Sequence, residues 1–271
     1  MLNQMNEKNF PLPIFDHEDD EEFATHYTWF LIDDSLSLKN KEEQIAAQIS
    51  YILSNLAEVN QSSVDTQVKA KLVFFNHEVR EYNDVHMDPQ HLADTFSRSD
   101  YVCHGNTYAG AVFRYMDGEL TRSNPVVQNL KKNSPGFTFV MVTDAQLNDP
   151  GSVRAEARKV LESNRFFTEY CRVLVVFLGE EKDMATAVAL ANGDAKNVIA
   201  MDDDLMTRLL APLIVDSTVT FADGTHIGND TARDLTSMAE KTKEREREGT
   251  ASAEELSDED LAKKLRELMN Q

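Results

Sequence analysis

Asp33, Ser35 and Ser37 alternate along Asp33-Asp34-Ser35-Leu36-Ser37, directly after the apolar run Trp29-Phe30-Leu31-Ile32. One carboxylate and two hydroxyls at that spacing are hard oxygen donors, which suit Mg²⁺, Mn²⁺ or Ca²⁺ better than zinc. Two further oxygens follow stretches of their own: Thr107 in Gly105-Asn106-Thr107, and Asp144 at the end of FTFVMVT, residues Phe137–Thr143. Taken alone, Asp-x-Ser-x-Ser also describes a turn or a helix cap. Joined by Thr107 and Asp144, it reads better as a divalent-cation site, provided the fold brings the three segments together. Asp34 is expected to face solvent or cap the backbone, not to bind the metal.

The elements that must position these oxygens are legible. The run ending at Asp33 is short, aromatic and β-branched, and reads as a buried strand over about 27–33. Ser35 and Ser37 then lie past its carboxyl end, where open α/β sheets bind ligands. Ile45, Ile49, Ile52 and Leu56 recur at helical spacing within 39–59. AKLVFFN (70–76) is a second strand, and Val79–Tyr82 returns from it through the turn Asn76-His77-Glu78. A polar loop carrying His86, Pro89 and His91 leads to the Thr107 loop, which opens a helix over 108–116. A short helix over 125–132, the FTFVMVT strand, a helix over 153–164 and the strand RVLVVFL (172–178), which stops at Gly179, come next. A helix over 183–192, a strand over 197–201 and a helix over 204–215 complete the series. Alternation of this kind predicts a doubly wound α/β fold, a mostly parallel sheet with one antiparallel edge strand.

Composition narrows the function classes. The chain has 271 residues, formal net charge −20 and 41% hydrophobic residues, enough for one domain with polar tails. That charge disfavours nucleic acid and anionic membranes, both of which need clustered Lys and Arg, and favours cations or basic protein partners. Cys103 and Cys171 could form one disulfide but no framework of them. With no apolar segment of membrane length and no signal-like start, a cytoplasmic protein is expected. Residues 1–24 read as an acidic leader, 25–215 as the domain, and 216–271 as a charged extension. The extension holds a hairpin candidate (218–227) and ends in an amphipathic helix lined by Leu261, Leu265 and Leu268.

The order and spacing of the motifs FLIDDS, the VFFN–HEVREY hairpin, the GNT loop and VMVTDAQLND resemble the von Willebrand factor A domain and its metal-ion-dependent adhesion site. The resemblance implies a Rossmann-like sheet over residues 25–215. It also implies that Ser35 and Ser37 ligate the cation directly, while Asp33, Asp144 and Thr107 hold it directly or through water. An acidic side chain from a protein partner would complete the shell. Two departures from the family pattern stand out: Ala145 occupies the position usually held by glycine after the aspartate, and the Thr107 loop has a single glycine, with Asn106 preceding the threonine. Among subgroups, the small intracellular bacterial type found with tellurium-resistance and stress-response proteins is the nearest in size, charge and lack of a secretion signal.

A non-enzymatic, cation-dependent protein-binding module is therefore the leading expectation. A Mg²⁺-dependent phosphoryl-transfer or receiver-like protein is the rival, because Asp33-Asp34 and Asp144 resemble an acidic Mg²⁺ pocket. The aspartates are far apart in sequence for that compact fold, and no lysine ends the RVLVVFLG strand. A scaffold acting through its tails, with a vestigial site, is the third reading. Cys103-His104 does not suggest zinc, since no second Cys/His pair accompanies it. Cys103 and Cys171 are expected to be packed, and His77, His86 and His91 to be scattered loop residues.

Overall fold

The computed structural model describes residues 24–62, 66–128 and 137–201. The acidic leader, the 204–215 helix, the 218–227 hairpin and the helix bearing Leu261, Leu265 and Leu268 lie outside the described residues. Six strands form one sheet: β1 (Ala24–Asp33), β2 (Thr66–Phe75), β3 (Val79–Glu81), β4 (Phe137–Thr143), β5 (Cys171–Phe177) and β6 (Val198–Ala200). Their order is β3-β2-β1-β4-β5-β6, all pairs parallel except β2 with β3. The predicted sheet, with its antiparallel edge strand, is thus present. β1 lies at its centre, paired with β2 from Ala24 to Asp33 and with β4 from Tyr27 to Ile32.

Successive side chains of a strand point to opposite faces, so each central strand must be apolar on both. Phe30 and Ile32 of β1 join Leu72, Phe74, Val140 and Val142 in one core. Trp29 and Leu31 join Val73, Phe139, Met141 and Val175 in the other. The first core is covered by α1 (Glu42–Ser62) and α2 (Pro89–Thr95), and the second by α3 (Ala109–Glu119), α5 (Gly151–Glu162), α6 (Arg165–Tyr170) and α7 (Met184–Leu190). A short α4 (Pro125–Gln128) adds Val126 and Val127 to the second core. On α1 the stripe Ile45, Ile49, Ile52 and Leu56 is buried, as its spacing predicts. Each such side chain contributes roughly 1.5–3 kcal/mol relative to an exposed one. Among the described residues no helix is long and apolar enough to cross a membrane.

Two helices were not read from the sequence. α2 hides in what looks like a polar loop, because only Pro89 and Leu92 of its seven residues are buried, too few for a stripe. Asp88 nevertheless caps it, accepting from Gln90 N, with Pro89 at the first helical position. α6 is similarly short, capped by Asn164 and anchored by Phe167. Other boundaries shift by a few residues: a 3₁₀ segment, Leu36–Lys41, precedes α1, and α5 begins at Gly151 instead of Val153.

A charged network ties α3 to the sheet. Lys71, only 3% exposed, is bonded to Glu81 at 2.6 Å and Glu119 at 2.9 Å, and Trp29 Nε1 donates to Glu119 at 2.9 Å. A buried ammonium needs such pairing. His86 does lie in a loop, as expected, and there it packs edge-on against Trp29 with ring centroids 4.3 Å apart.

Candidate metal centre

Asp33 is the last residue of β1 and fully buried. Its Oδ1 accepts from Ser35 N at 2.9 Å and its Oδ2 from Thr143 Oγ1 at 2.6 Å, which links the ends of β1 and β4. Burial pushes the Asp33 carboxyl up to about 7; the hydrogen bonds from Ser35 and Thr143 oppose that rise, and the nearby Asp144 carboxylate adds to it. Ser35 Oγ and Ser37 Oγ lie 3.0 Å apart. Two hydroxyls at that distance can serve one acceptor or one cation together.

Backbone bonds hold the three loops against each other. Leu36 N donates to Gly105 O and His104 N to Asp34 O, joining the serine loop to the Thr107 loop. Thr107 N then donates to Asn148 Oδ1, and Asn148 N to Thr107 O at 2.8 Å, joining that loop to the one after Asp144. Ser35, Ser37 and Thr107 line a single open cavity of about 400 Å³ at the carboxyl edge of the sheet, together with Ala145, Asn148 and Arg154. Asp33 and Asp144 lie buried at the strand ends that bound it. The chain therefore gathers three of the five sequence-predicted oxygens around one space, with the other two at the strand ends.

The donor set fits a hard divalent cation. Thr107 Oγ1 is buried and makes no hydrogen bond, an orphan acceptor that a cation or its water would satisfy. Two carboxylates and three hydroxyls are oxygen donors only, and among the described residues no group of three or more His, Cys, Asp or Glu side chains could hold a metal. Cys103 and Cys171 are both free thiols, so the disulfide does not form. Burial pushes the Cys103 thiol up to about 12, which leaves it protonated and inert, while Cys171 is half-buried at the start of β5.

Asp34 corrects the sequence reading. It is buried, not solvent-facing, and its Oδ2 meets Arg80 of β3 at 3.4 Å while Oδ1 has no partner. Arg80 lies on a hairpin 46 residues away, so nothing local in the sequence announced the contact.

Supporting residues were also missed. Tyr101 donates to Asp33 O at 2.7 Å, clamping the end of β1. Ala145 adopts φ 57, the left-handed region where glycine is favoured, which accounts for the family's usual residue there. Asp149 is buried and accepts from Ala109 N and Gly110 N, capping α3 from across the site because Tyr108 offers no cap of its own. A charged acceptor at a helix start is favourable on both hydrogen-bonding and dipole grounds. Asp149→Ala is expected to destabilise the fold by about 2 kcal/mol, measured by urea unfolding; a loss within experimental error would show that the cap carries no weight.

An open, mostly parallel sheet of this strand order, with a hydroxyl-lined cavity at its carboxyl edge, is a von Willebrand factor A-like fold. No protein-family model matches the chain, and no curated protein matches it in sequence. Solved structures do. The pilus adhesin SpaC of Lactobacillus rhamnosus GG in its open conformation is similar at TM-score 0.54 and 10% identity, covering 73% of this chain and 30% of that one. The PilB minor pilin of Streptococcus sanguinis is similar at TM-score 0.52 and 12% identity, covering 74% of this chain and 62% of that one. Proximal thread matrix protein 1 from the mussel byssus, with a zinc-occupied MIDAS motif, is similar at TM-score 0.52 and 15% identity, covering 72% and 48%. The chain spans less than two thirds of each of these proteins. At such identities the likeness concerns the fold.

Proposed function

We propose that this chain is a non-enzymatic protein-binding module that engages its partner through a divalent cation at the carboxyl edge of the sheet. Ser35, Ser37 and Thr107 would hold the cation through their hydroxyls, and Asp33 and Asp144 would supply the negative charge. The observation that carries this reading is the convergence of the serine and threonine hydroxyls on one open cavity, with Thr107 Oγ1 buried and unsatisfied. A bound Mg²⁺, or Mn²⁺ or Ca²⁺ on the same oxygen donors, would supply a positive charge to which a partner's carboxylate could bind. The chain's own residues fix the rest. Thr143 and Ser35 orient Asp33, and Asn148 locks the Thr107 loop. Among the described residues lining the cavity, no nucleophile or general base has a partner arranged to activate it, in keeping with a binding role. The narrower setting, a cytoplasmic complex of the tellurium-resistance or stress-response kind, is supported by the sequence resemblance and the charge alone.

Thermal unfolding in EDTA and then in Mg²⁺, Mn²⁺ or Ca²⁺ tests the site. A ligand bound only by the folded chain, present at a hundred times its Kd, stabilises by about 2.7 kcal/mol, or roughly 5–10 °C for a domain of this size. Asp144→Ala is expected to abolish that rise. An unchanged midpoint in every cation at tens of millimolar would refute the metal-dependent reading.

A further inference from the structure

The same cavity has a cationic wall that cation binding does not explain. Along the sheet edge the serine loop follows β1, Ala145–Asn148 follows β4, and Lys182 and Asp183 follow β5. Arg154 reaches the cavity from the first turn of α5. Its placement is unfavourable by local rules. A helix start carries positive partial charge and prefers acids, yet this turn has no acidic residue and holds a half-buried guanidinium. Arg154 makes no ion pair or side-chain hydrogen bond among the described residues, although the chain has 47 acidic residues to 27 basic ones. Arg80, Arg158 and Arg165 all have carboxylate partners. Lys182 adds a second positive charge, shared with the exposed Glu180, while Asp183 is the lone carboxylate among the described residues lining the cavity. A guanidinium kept half-buried, unpaired and at the wrong helix end is a local conflict, of the kind that marks a site waiting for an anion.

We infer that the partner presents two acidic side chains: one to the hydroxyl end of the cavity and a second to Arg154, assisted by Lys182. This rests on the cation-dependent reading above and names the partner's chemistry. Lys182, past β5, lies two strand spacings from β1, roughly 10 Å, which a peptide in the polyproline II conformation, rising about 3.1 Å per residue with three residues per turn, covers in three residues with both acids on one face. The segment recognised is therefore a polyproline II one with two residues between its acids. The planar guanidinium would donate paired N–H bonds to the second carboxylate, a geometry that a lysine or a hydroxyl cannot reproduce.

Acetyl-Asp-Gly-Gly-Asp-amide and acetyl-Asn-Gly-Gly-Asp-amide, titrated into ¹⁵N-labelled full-length protein with Mg²⁺ present and followed by NMR, separate the possibilities. The diacidic peptide is expected to bind about tenfold more tightly, the size of one charge-assisted contact. In Arg154→Gln that preference disappears while the melting temperature stays level or rises, since the substitution removes a cation from the positive end of α5. Equal affinities in the wild type, or a preference that survives Arg154→Gln, overturn the second acidic contact and leave the cation-dependent module standing. Binding that is indifferent to EDTA overturns both.

Discussion

Gly179→Ala is expected to lower stability by about 3 kcal/mol and to remove the cation-dependent rise in melting temperature, whereas Gly118→Ala is expected to stabilise by about 0.5–1 kcal/mol. Both are single methyl additions, and the surroundings decide the sign. A Cβ on Gly179 would fall well inside contact distance of the Asp144 carbonyl oxygen and 2.6 Å from Phe177 Cε2. Neither can yield cheaply: Leu178 N is bonded to Thr143 O at 2.9 Å, and Phe177 is fully buried in the second core. The displaced group is the backbone of Asp144 itself, so the loss of stability and the loss of cation response have one cause. Gly118 lies exposed near the end of α3 with nothing within 4 Å of the added carbon, so there alanine only reduces the entropy lost on folding. Urea unfolding and melting with and without Mg²⁺ read both variants. A Gly179→Ala protein as stable and as cation-responsive as the wild type would mean that the β5 turn does not position Asp144.

What the sequence announced and what it hid divide along a physical line. FTFVMVT is apolar at every position because both faces of β4 are covered, and such a run is visible without any partner. The turn Asn76-His77-Glu78 closes on itself, with Asn76 N donating to Glu78 O and Glu78 N to Asn76 Oδ1, so its signal is local too. The shared place of Asp33, Ser35 and Ser37 at the end of β1 was legible because all three fall within five residues, and those of Thr107 and Asp144 because each sits in a loop beside an element the sequence marks. Residues that act across the fold carried no such mark. Asp149 caps a helix that starts forty residues earlier, Tyr101 clamps a strand end 68 residues away, and Gly179 matters only because β4 passes beside it. Asp34 was misread for the same reason, since its identity as a turn residue is local and its burial under Arg80 is not.

Two buried groups should give the protein opposing pH responses in EDTA. His26 on β1 is fully buried; Nε2 contacts Thr138 Oγ1 at 2.9 Å and Nδ1 has no partner. Burial first, then the charge of Arg172, lowers its pKa from 6.5 to about 3. The folded ring thus stays neutral where the unfolded one takes up a proton, so its contribution is complete above pH 6.5 and drains as pH falls towards 3. Asp33 runs the other way: raised from 3.8 to about 7, it is protonated in the fold across a range where the unfolded chain is ionised. Its contribution is complete below 3.8 and is lost as pH rises through 7. Between about pH 4 and 6.5 the His26 and Asp33 slopes offset each other, and the wild-type profile follows the remaining groups, His86 among them, which burial also lowers to about 3. Removing either partner exposes the other. His26→Gln should gain about 3 kcal/mol on the wild type as pH falls from 6.5 to 4, and Asp33→Asn about 4 kcal/mol as pH rises from 4 to 8. Urea unfolding free energies of the three proteins across that range measure both differences. Curves that stay parallel to the wild type would mean that neither group changes its proton on folding. A divalent cation at pH 8 should shrink the Asp33→Asn advantage, because it supplies the countercharge that burial withholds from the Asp33 carboxylate.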